Sequence, residues 1–335
     1  MPASTPRSLL LDNWRGWAIL LVLSGHFLQQ GGDSLGRLGV ELFFVLSGRL
    51  MADLLFVKNV GLRTFFYRRF SRVIPGSLLF VGSAFLIFSS GVDELGKRAG
   101  IASAAMVINY TQLVGIGSAV TGHFWSLCVE EHSYIALALI AWVLRRTARD
   151  SLAWPAAICL ALALLMVFNG WRLWHHQPFY YSVYWRSDVR AATIFMSAGL
   201  RLLQVSRPHG FLRAPWIAVA ALMAALACSS TLAPDPVKYS LGSLLIALSI
   251  NTLDDTYAWA RGLLSSRIVG WLGIVSYSLY IWQQPFYNHV DVYHGLPMLA
   301  CAIATGAAIF YWYEEPVREW LNTRRARHRD VAPVQ

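Results

Sequence analysis

Apolar runs of about 20 residues recur along almost the whole chain, near residues 11–29, 39–57, 73–90, 124–144, 153–170, 190–206, 215–232, 238–253, 268–287 and 297–314. A helix of that length spans a hydrocarbon layer of about 30 Å, whereas a water-soluble domain could not bury ten such surfaces. The repetition predicts an all-α polytopic membrane protein, a bundle of about ten transmembrane helices. The chain reads as one membrane domain over 1–335, with the bundle from about 8 to 316 and a basic, frayed cytoplasmic tail over 317–335. Composition agrees: 56% of the 335 residues are hydrophobic and 14% charged, against about 25% charged in an ordinary soluble domain. The 14 Trp and 14 Tyr, many near the ends of runs, suit interfacial belts. The net charge of +10 suits a partner of anionic lipid, because Arg and Lys are dispersed between the runs and form no single patch for nucleic acid.

The first run, Trp17 to Leu28, could be taken for a cleaved leader, but Phe27, Leu28, Gln29 and Gln30 are too large for a cleavage site and a second run follows at once. Cys128, Cys159, Cys228 and Cys301 lie singly inside apolar runs, so neither a disulfide framework nor a metal site is expected. Residues 101–117 are apolar too; a crossing there would turn Arg145, Arg146 and Arg149 outward, so they are expected to be re-entrant or interfacial. With both termini cytoplasmic, twenty Arg and Lys fall inside and seven outside, with Arg49 inside a run, which is the positive-inside arrangement.

Ionisable residues in hydrocarbon cost several kcal/mol unless paired or wetted, so each is a candidate for function. Arg15 and His26 are 11 residues apart, three helical turns, on one face and about 16 Å apart in depth. An Arg at the inner mouth suits phosphate, and an imidazole deeper in suits proton abstraction from a hydroxyl; the alternative is a packed His and a snorkelling Arg. Glu41 enters the second run at about the depth of His26, where it is expected to hold the other ring nitrogen, unless it only caps the run at the water interface. Arg49 needs a partner that the sequence does not identify. The loop from Phe65 to Pro75 is basic and aromatic, either an anchor on anionic lipid or a holder of an acidic group such as a nucleotide diphosphate. Glu130 and Glu131 stand 100° apart on a helix, so they are not expected to share one partner.

Other motifs carry less. Gly32-Asp33-Ser34-Leu35 matches the start of one class of serine esterases but lies between two apolar runs with no sheet to hold a nucleophile. No His is followed five residues on by Asp, and neither HExxH, Walker A nor GxGxxG occurs. His175 and His176 sit in an aromatic stretch with Trp171, Trp174, Phe179, Tyr180, Tyr181, Tyr184 and Trp185, an interface belt or a sugar-stacking surface.

Six blocks in order resemble the acyltransferase-3 family of integral membrane acyltransferases: Leu11 to Phe27 with its Arg-x10-His spacing, Gly39 to Gly48, Phe66 to Pro75, Trp125 to Tyr134, Ser276 to Pro285, and Glu315 to Arg318. The resemblance implies about ten spans in a bacterial-type inner membrane and O-acylation of carbohydrate on the outer face. The acyl group, most often acetyl, would come from cytoplasmic acyl-CoA as co-substrate, with no bound cofactor. Carried over by position, His26 is the essential histidine, as general base or acyl carrier, Arg15 its partner, Glu41 the acid of the second span, and Glu130 and Glu131 the paired acids. Arg68, Arg69 and Arg72, with Arg15, would hold the donor, and Trp125, Ser126, Tyr277 and Tyr280 would contact substrate. Three positions depart from the family pattern: Arg49, His132-Ser133, and Gln283 where His is usual. An appended SGNH esterase-like domain, which some relatives carry, is not expected. The rival reading from the residues alone is a transporter or flippase for a glycan or small anion, with Arg15, His26, Glu41 and Arg49 lining its path.

Overall fold

The computed structural model describes residues 9–28, 33–88, 94–147, 151–177, 179–207, 210, 213–230 and 232–330. Arg7, Gln29, Gln30, Gly32, Arg149 and the side chains of Arg327 and Arg329 lie outside the described residues. The principal helices are α1 (Leu9–Phe27), α2 (Asp33–Ala52), α3 (Leu62–Phe88), α4 (Glu94–Ala104), α5 (Trp125–Arg146), α6 (Ala153–His176), α7 (Ala192–Ser206), α8 (Ile217–Cys228), α9 (Ser243–Asn251), α10 (Arg267–Trp282), α11 (Gly295–Ile309) and α12 (Glu315–Asp330). Every apolar run of the sequence falls on one of them, and no strand occurs among the described residues.

Among the described residues, three stretches are long and apolar enough to cross a membrane: Gly122–Arg146, Ala153–His176 and Gly295–Arg325. The remaining runs carry ionisable residues, as α1 and α2 do, or are shorter, as α7 and α8 are. Leu164, Leu165 and Phe168 on α6, and Ile135 and Leu139 on α5, point outward and are exposed. A helical bundle that is apolar outside as well as within suits lipid, where a helix pairs its backbone groups internally. The architecture is that of an all-α membrane protein.

Small residues set the central packing. Gly16 of α1 and Gly273 of α10 lie so close to the other helix that a Cβ at either would overlap its backbone. A Cβ at Gly39 of α2 would meet the Ala18 carbonyl of α1 at 2.5 Å, and Gly48 lies as close to α7 at Ile194. Apolar surface gains little from leaving lipid, so such close backbone approach is what holds membrane helices together. Asn13 joins α1 to α10 directly: its Oδ1 accepts from the Ser266 N–H at 2.9 Å, and Ser266 Oγ caps α10 by accepting from the Val269 N–H at 3.0 Å.

Between α4 and α5 the chain breaks at Met106, whose φ is 56°, into the single turns Ile108–Thr111 and Gln112–Val114. None of these pieces is by itself long enough to cross a membrane. Within the tail expected to fray, the described residues, as far as Asp330, are helical and belong to α12. It docks on α3 because Tyr67 donates to the Leu321 carbonyl at 2.6 Å and Arg325 both stacks on the Tyr67 ring and reaches Thr64.

Candidate active site

Three cavities follow one another beside α1, each sharing lining residues with the next. The first, about 20 Å³, is a mouth lined by Arg15, Arg72 and Arg318, with Asp12, Tyr277, Glu314 and Glu315. Arg15, Arg72 and Tyr277 also line the second, an inner chamber of about 100 Å³ walled by Phe43, Phe44, Leu46, Leu50 and Leu127. Val40 and Tyr280 are common to this chamber and to the third, an outer chamber of about 510 Å³ that contains His26. The three-turn spacing of Arg15 and His26 thus puts them on different cavities of one series.

At the mouth, Arg15 pairs with Asp12 at 2.9 Å and Arg318 pairs with Glu315. Arg72 makes no hydrogen bond or ion pair among the described residues. Glu314 is buried there by a π-helical turn, Phe310–Glu314, and by Gly76, where a Cβ would come within 2.7 Å of its Oε1. The other two arginines of the basic loop do not join this cluster. Arg68 is exposed and lines none of the three cavities. Arg69 lines the inner chamber but is already paired.

The expectation that Glu130 and Glu131 could not share a partner is corrected by Arg69. Its Nε reaches Glu131 at 2.7 Å and its Nη2 reaches Glu130 at 2.9 Å, while the group lies 4.2 Å over the Tyr134 ring. A planar guanidinium presents donors along a whole edge, wide enough to span two carboxylates on neighbouring residues. Glu130 also accepts from Ser47 Oγ at 2.9 Å and from the Tyr134 hydroxyl at 2.8 Å.

Glu41 is the second correction. It is buried away from His26, ion-paired with Arg190, and accepts from Thr193 at 2.8 Å and Ser243 at 2.7 Å. The helix turns 100° per residue, so Val40 faces the chambers and Glu41 faces α7 and α9. His26 instead has Gln283 beside it, Nδ1 to Oε1 at 2.9 Å, and Tyr287 stacked on its ring at 4.3 Å between centroids. Arg49 finds its partners in Asp254 and the Ile250 carbonyl. That cluster, with Asp53 held by Arg201 at 2.8 Å, lines none of the three cavities.

Of the expected substrate contacts, Trp125 lines the outer chamber, Ser126 and Tyr277 the inner one, and Tyr280 both. The Tyr280 hydroxyl is fixed at the boundary by Ser126 Oγ at 2.6 Å and the His123 carbonyl at 3.1 Å. The aromatic stretch divides. Tyr181, Tyr184 and Trp185 line the outer chamber, with the Tyr181 and Trp185 rings stacked at 4.7 Å, whereas Trp171, His175, His176 and Phe179 are exposed elsewhere. Asp188 anchors this stretch, held by Arg186 at 2.8 and 3.0 Å, Tyr110 at 3.0 Å and Asn169 at 2.9 Å. Burial pushes its carboxyl up, but the bonds and charge of Arg186 and the Tyr110 hydroxyl outweigh this and hold it below its ordinary range.

The acyltransferase-3 family profile, described as an acyltransferase domain, matches residues 9–314. The chain belongs to that family. It is 26% identical over 311 residues to a Bacillus subtilis (strain 168) protein provisionally named a peptidoglycan O-acetyltransferase, covering 82% of this chain and 48% of the relative. It is 25% identical over 318 residues to a provisionally named O-acetyltransferase of Staphylococcus aureus (strain COL), covering 85% and 51%. It is 22% identical over 354 residues to the peptidoglycan O-acetyltransferase OatA of Listeria monocytogenes serovar 1/2a, covering 92% and 55%. The chain spans about half the length of these relatives. No solved structure matches it.

Gln283, Tyr287, His123 and Glu314 were not assigned to the site from sequence. Gln283 was visible only as a departure from the family pattern. Glu314 is displaced by a π turn, which no hydrophobic periodicity announces.

Proposed function

We propose that this chain is a multi-pass O-acyltransferase of a bacterial inner membrane, with about ten crossings and both termini cytoplasmic. It would move an acetyl group from acetyl-CoA to a hydroxyl of a cell-surface carbohydrate. The observation that carries this reading is the series of cavities joining the arginines of the mouth to His26. Arg15, Arg72 and Arg318 are suited to CoA phosphates, since guanidinium groups recognise phosphate oxygens in pairs. The narrow, apolar inner chamber suits the thioester arm, and the wide, aromatic outer chamber suits a sugar ring.

In this reading the acceptor hydroxyl lies against His26, whose imidazole takes its proton as the oxygen attacks the thioester carbonyl. The C–O bond forms, the C–S bond breaks, and the CoA thiolate leaves on the donor side to be protonated. Tyr280, fixed at the boundary, stands where donor and acceptor meet. Positioning both partners contributes beyond the proton transfer itself. Peptidoglycan is the first acceptor to try, on the strength of the relatives' names.

The test is transfer of radiolabelled acetyl from acetyl-CoA to cell-wall glycan in membranes carrying wild type or His26→Ala. Label on glycan with wild type and a drop of about 10² to 10⁴ with the variant, at equal protein level, is expected for a lost general base. Equal transfer by both would overturn the role of His26. No label with either would favour transport through the same cavities.

A further inference from the structure

Glu41, which the sequence reading gave to His26, serves Arg190 instead, and both are almost fully enclosed, with 3% and 1% of their surface exposed. The pair ties α2 to the single turn Ser187–Arg190 that precedes α7. Thr193 and Ser243 complete the carboxylate at 2.8 and 2.7 Å. A buried ion pair is seldom more stabilising than apolar side chains of the same volume, because both charges give up their water. What this one supplies is a flat cation at a fixed place. The guanidinium carbon of Arg190 lies 3.9 Å from the centre of the Tyr239 ring and 4.9 Å from that of Tyr184, within the range of cation–π attraction. Phe44, on the inner chamber, stands further off at 6.0 Å.

Tyr184 is a wall residue of the outer chamber. Its ring packs on Trp125, which lines the same chamber, at 4.7 Å between centroids, and on Tyr180 and Tyr239 at 5.2 and 5.3 Å. The hydroxyls of Tyr180 and Tyr239 bond to each other at 2.7 Å. The Tyr184 hydroxyl is buried and has no hydrogen-bond partner among the described residues. The ring is thus held by its stacking neighbours and by Arg190, and not by its own polar end. A buried hydroxyl left unpaired is costly, and in a ligand chamber the group that completes it is the ligand. We propose that Tyr184 binds the acceptor, its hydroxyl paired with a hydroxyl of the sugar, and that the Glu41–Arg190 pair is the element that positions it. The assignment rests on the outer chamber taking the carbohydrate. It gives the acid of the second span a task in acceptor recognition, without contact to the reacting atoms. The donor side is spared, since Glu41, Tyr184, Arg190 and Tyr239 line neither the mouth nor the inner chamber.

The experiment compares Tyr184→Phe, Arg190→Met and the double variant Glu41→Gln with Arg190→Met against wild type. It measures KM for radiolabelled acetyl-CoA, KM for soluble cell-wall glycan fragments, the Kd of the same fragments by calorimetry without acetyl-CoA, and Tm in detergent. Tyr184→Phe removes one oxygen that no protein group uses, so its Tm should hold or rise. Its glycan Kd and KM should rise about 3- to 10-fold, the value of one hydrogen bond, with the KM for acetyl-CoA within about twofold. Arg190→Met alone strands a buried carboxylate and should lower the Tm. The double variant removes both charges and leaves an amide to accept from Thr193 and Ser243. Its Tm should recover while its glycan affinity stays weakened about 3- to 10-fold, because the cation under the Tyr184 ring is gone. A purely structural pair would return affinity together with Tm. Wild-type glycan Kd in Tyr184→Phe would overturn the binding role, and wild-type glycan Kd in the double variant would overturn the positioning role; either leaves the acyltransferase reading standing if acetyl is transferred. Conversely, a wild type that transfers no acetyl but binds glycan more tightly than Tyr184→Phe overturns that reading and keeps the Tyr184 site. A wild type that binds no glycan overturns both.

Discussion

The inner chamber holds about 100 Å³ and is walled by aliphatic and phenylalanine side chains; Arg69 is tied to two carboxylates and Arg15 to Asp12, while Arg72 on the same lining has no ion pair among the described residues. The outer chamber holds about 510 Å³ and is walled by aromatic rings, amides and glycines, with Arg37 the one Arg or Lys among the described residues on its lining. The two meet at Val40 and Tyr280. A narrow site with fixed charge at its entrance discriminates by fit to one ligand, whereas a broad site of stacking surfaces tolerates a larger and more variable one. On the function proposed above, the contrast suits a common donor on one side and a particular glycan on the other.

The comparison is most severely tested at Arg69. Arg69→Ala leaves the half-buried Glu130 and Glu131 without their cation, which costs at most about 3–5 kcal/mol, the value for a fully buried pair. Loss of folded protein, seen as reduced yield and a lower Tm in detergent, is expected; an unchanged Tm would remove the structural role. Arg72→Ala should behave in the opposite way, because Arg72 has no hydrogen bond or ion pair among the described residues that its loss would orphan. Its Tm should hold while the KM for acetyl-CoA rises about 10- to 10²-fold, the value of one or two charge-assisted bonds to phosphate. In the outer chamber, Gly36→Leu fills the space beside His26 Nε2 and should cut transfer to glycan by about 10²-fold through misplacement of the acceptor, with acetyl-CoA binding retained. Trp185→Ala removes half of a stacked pair, worth about 0.5–1.5 kcal/mol, and should raise the acceptor KM roughly 2- to 10-fold. Trp171→Ala, an exposed aromatic outside the chamber, should change it by no more than about twofold.

Helix existence was legible because a run of about 20 apolar residues has one membrane solution, and Arg15 and His26 could be placed on one face by spacing alone. What spacing cannot supply is the rotation of one helix against another. Glu41 was placed at the right depth for His26 but lies one residue, and so 100°, around from the chamber. Gln283 was within reach only because α1 and α10 cross closely at Gly16 and Gly273, a contact between residues more than 250 apart in sequence. Glu130 and Glu131 were judged as separate rays from a helix, and the breadth of the Arg69 fork was left out of that geometry. The partner of Arg49 lies in a polar loop after α9, about 200 residues away. The docking of α12 runs through Tyr67 and Thr64, which charge counting could not single out.

The central claim is that donor and acceptor approach from opposite ends of one series of cavities. Sealed membrane vesicles of defined orientation, supplied with radiolabelled acetyl-CoA on one face and cell-wall glycan on the other, test it most directly. Transfer is predicted only when acetyl-CoA is on the face bearing Arg15 and Arg72, and it should fall with Arg72→Ala. Equal transfer from either face, or transfer only when acetyl-CoA is on the His26 side, would contradict it.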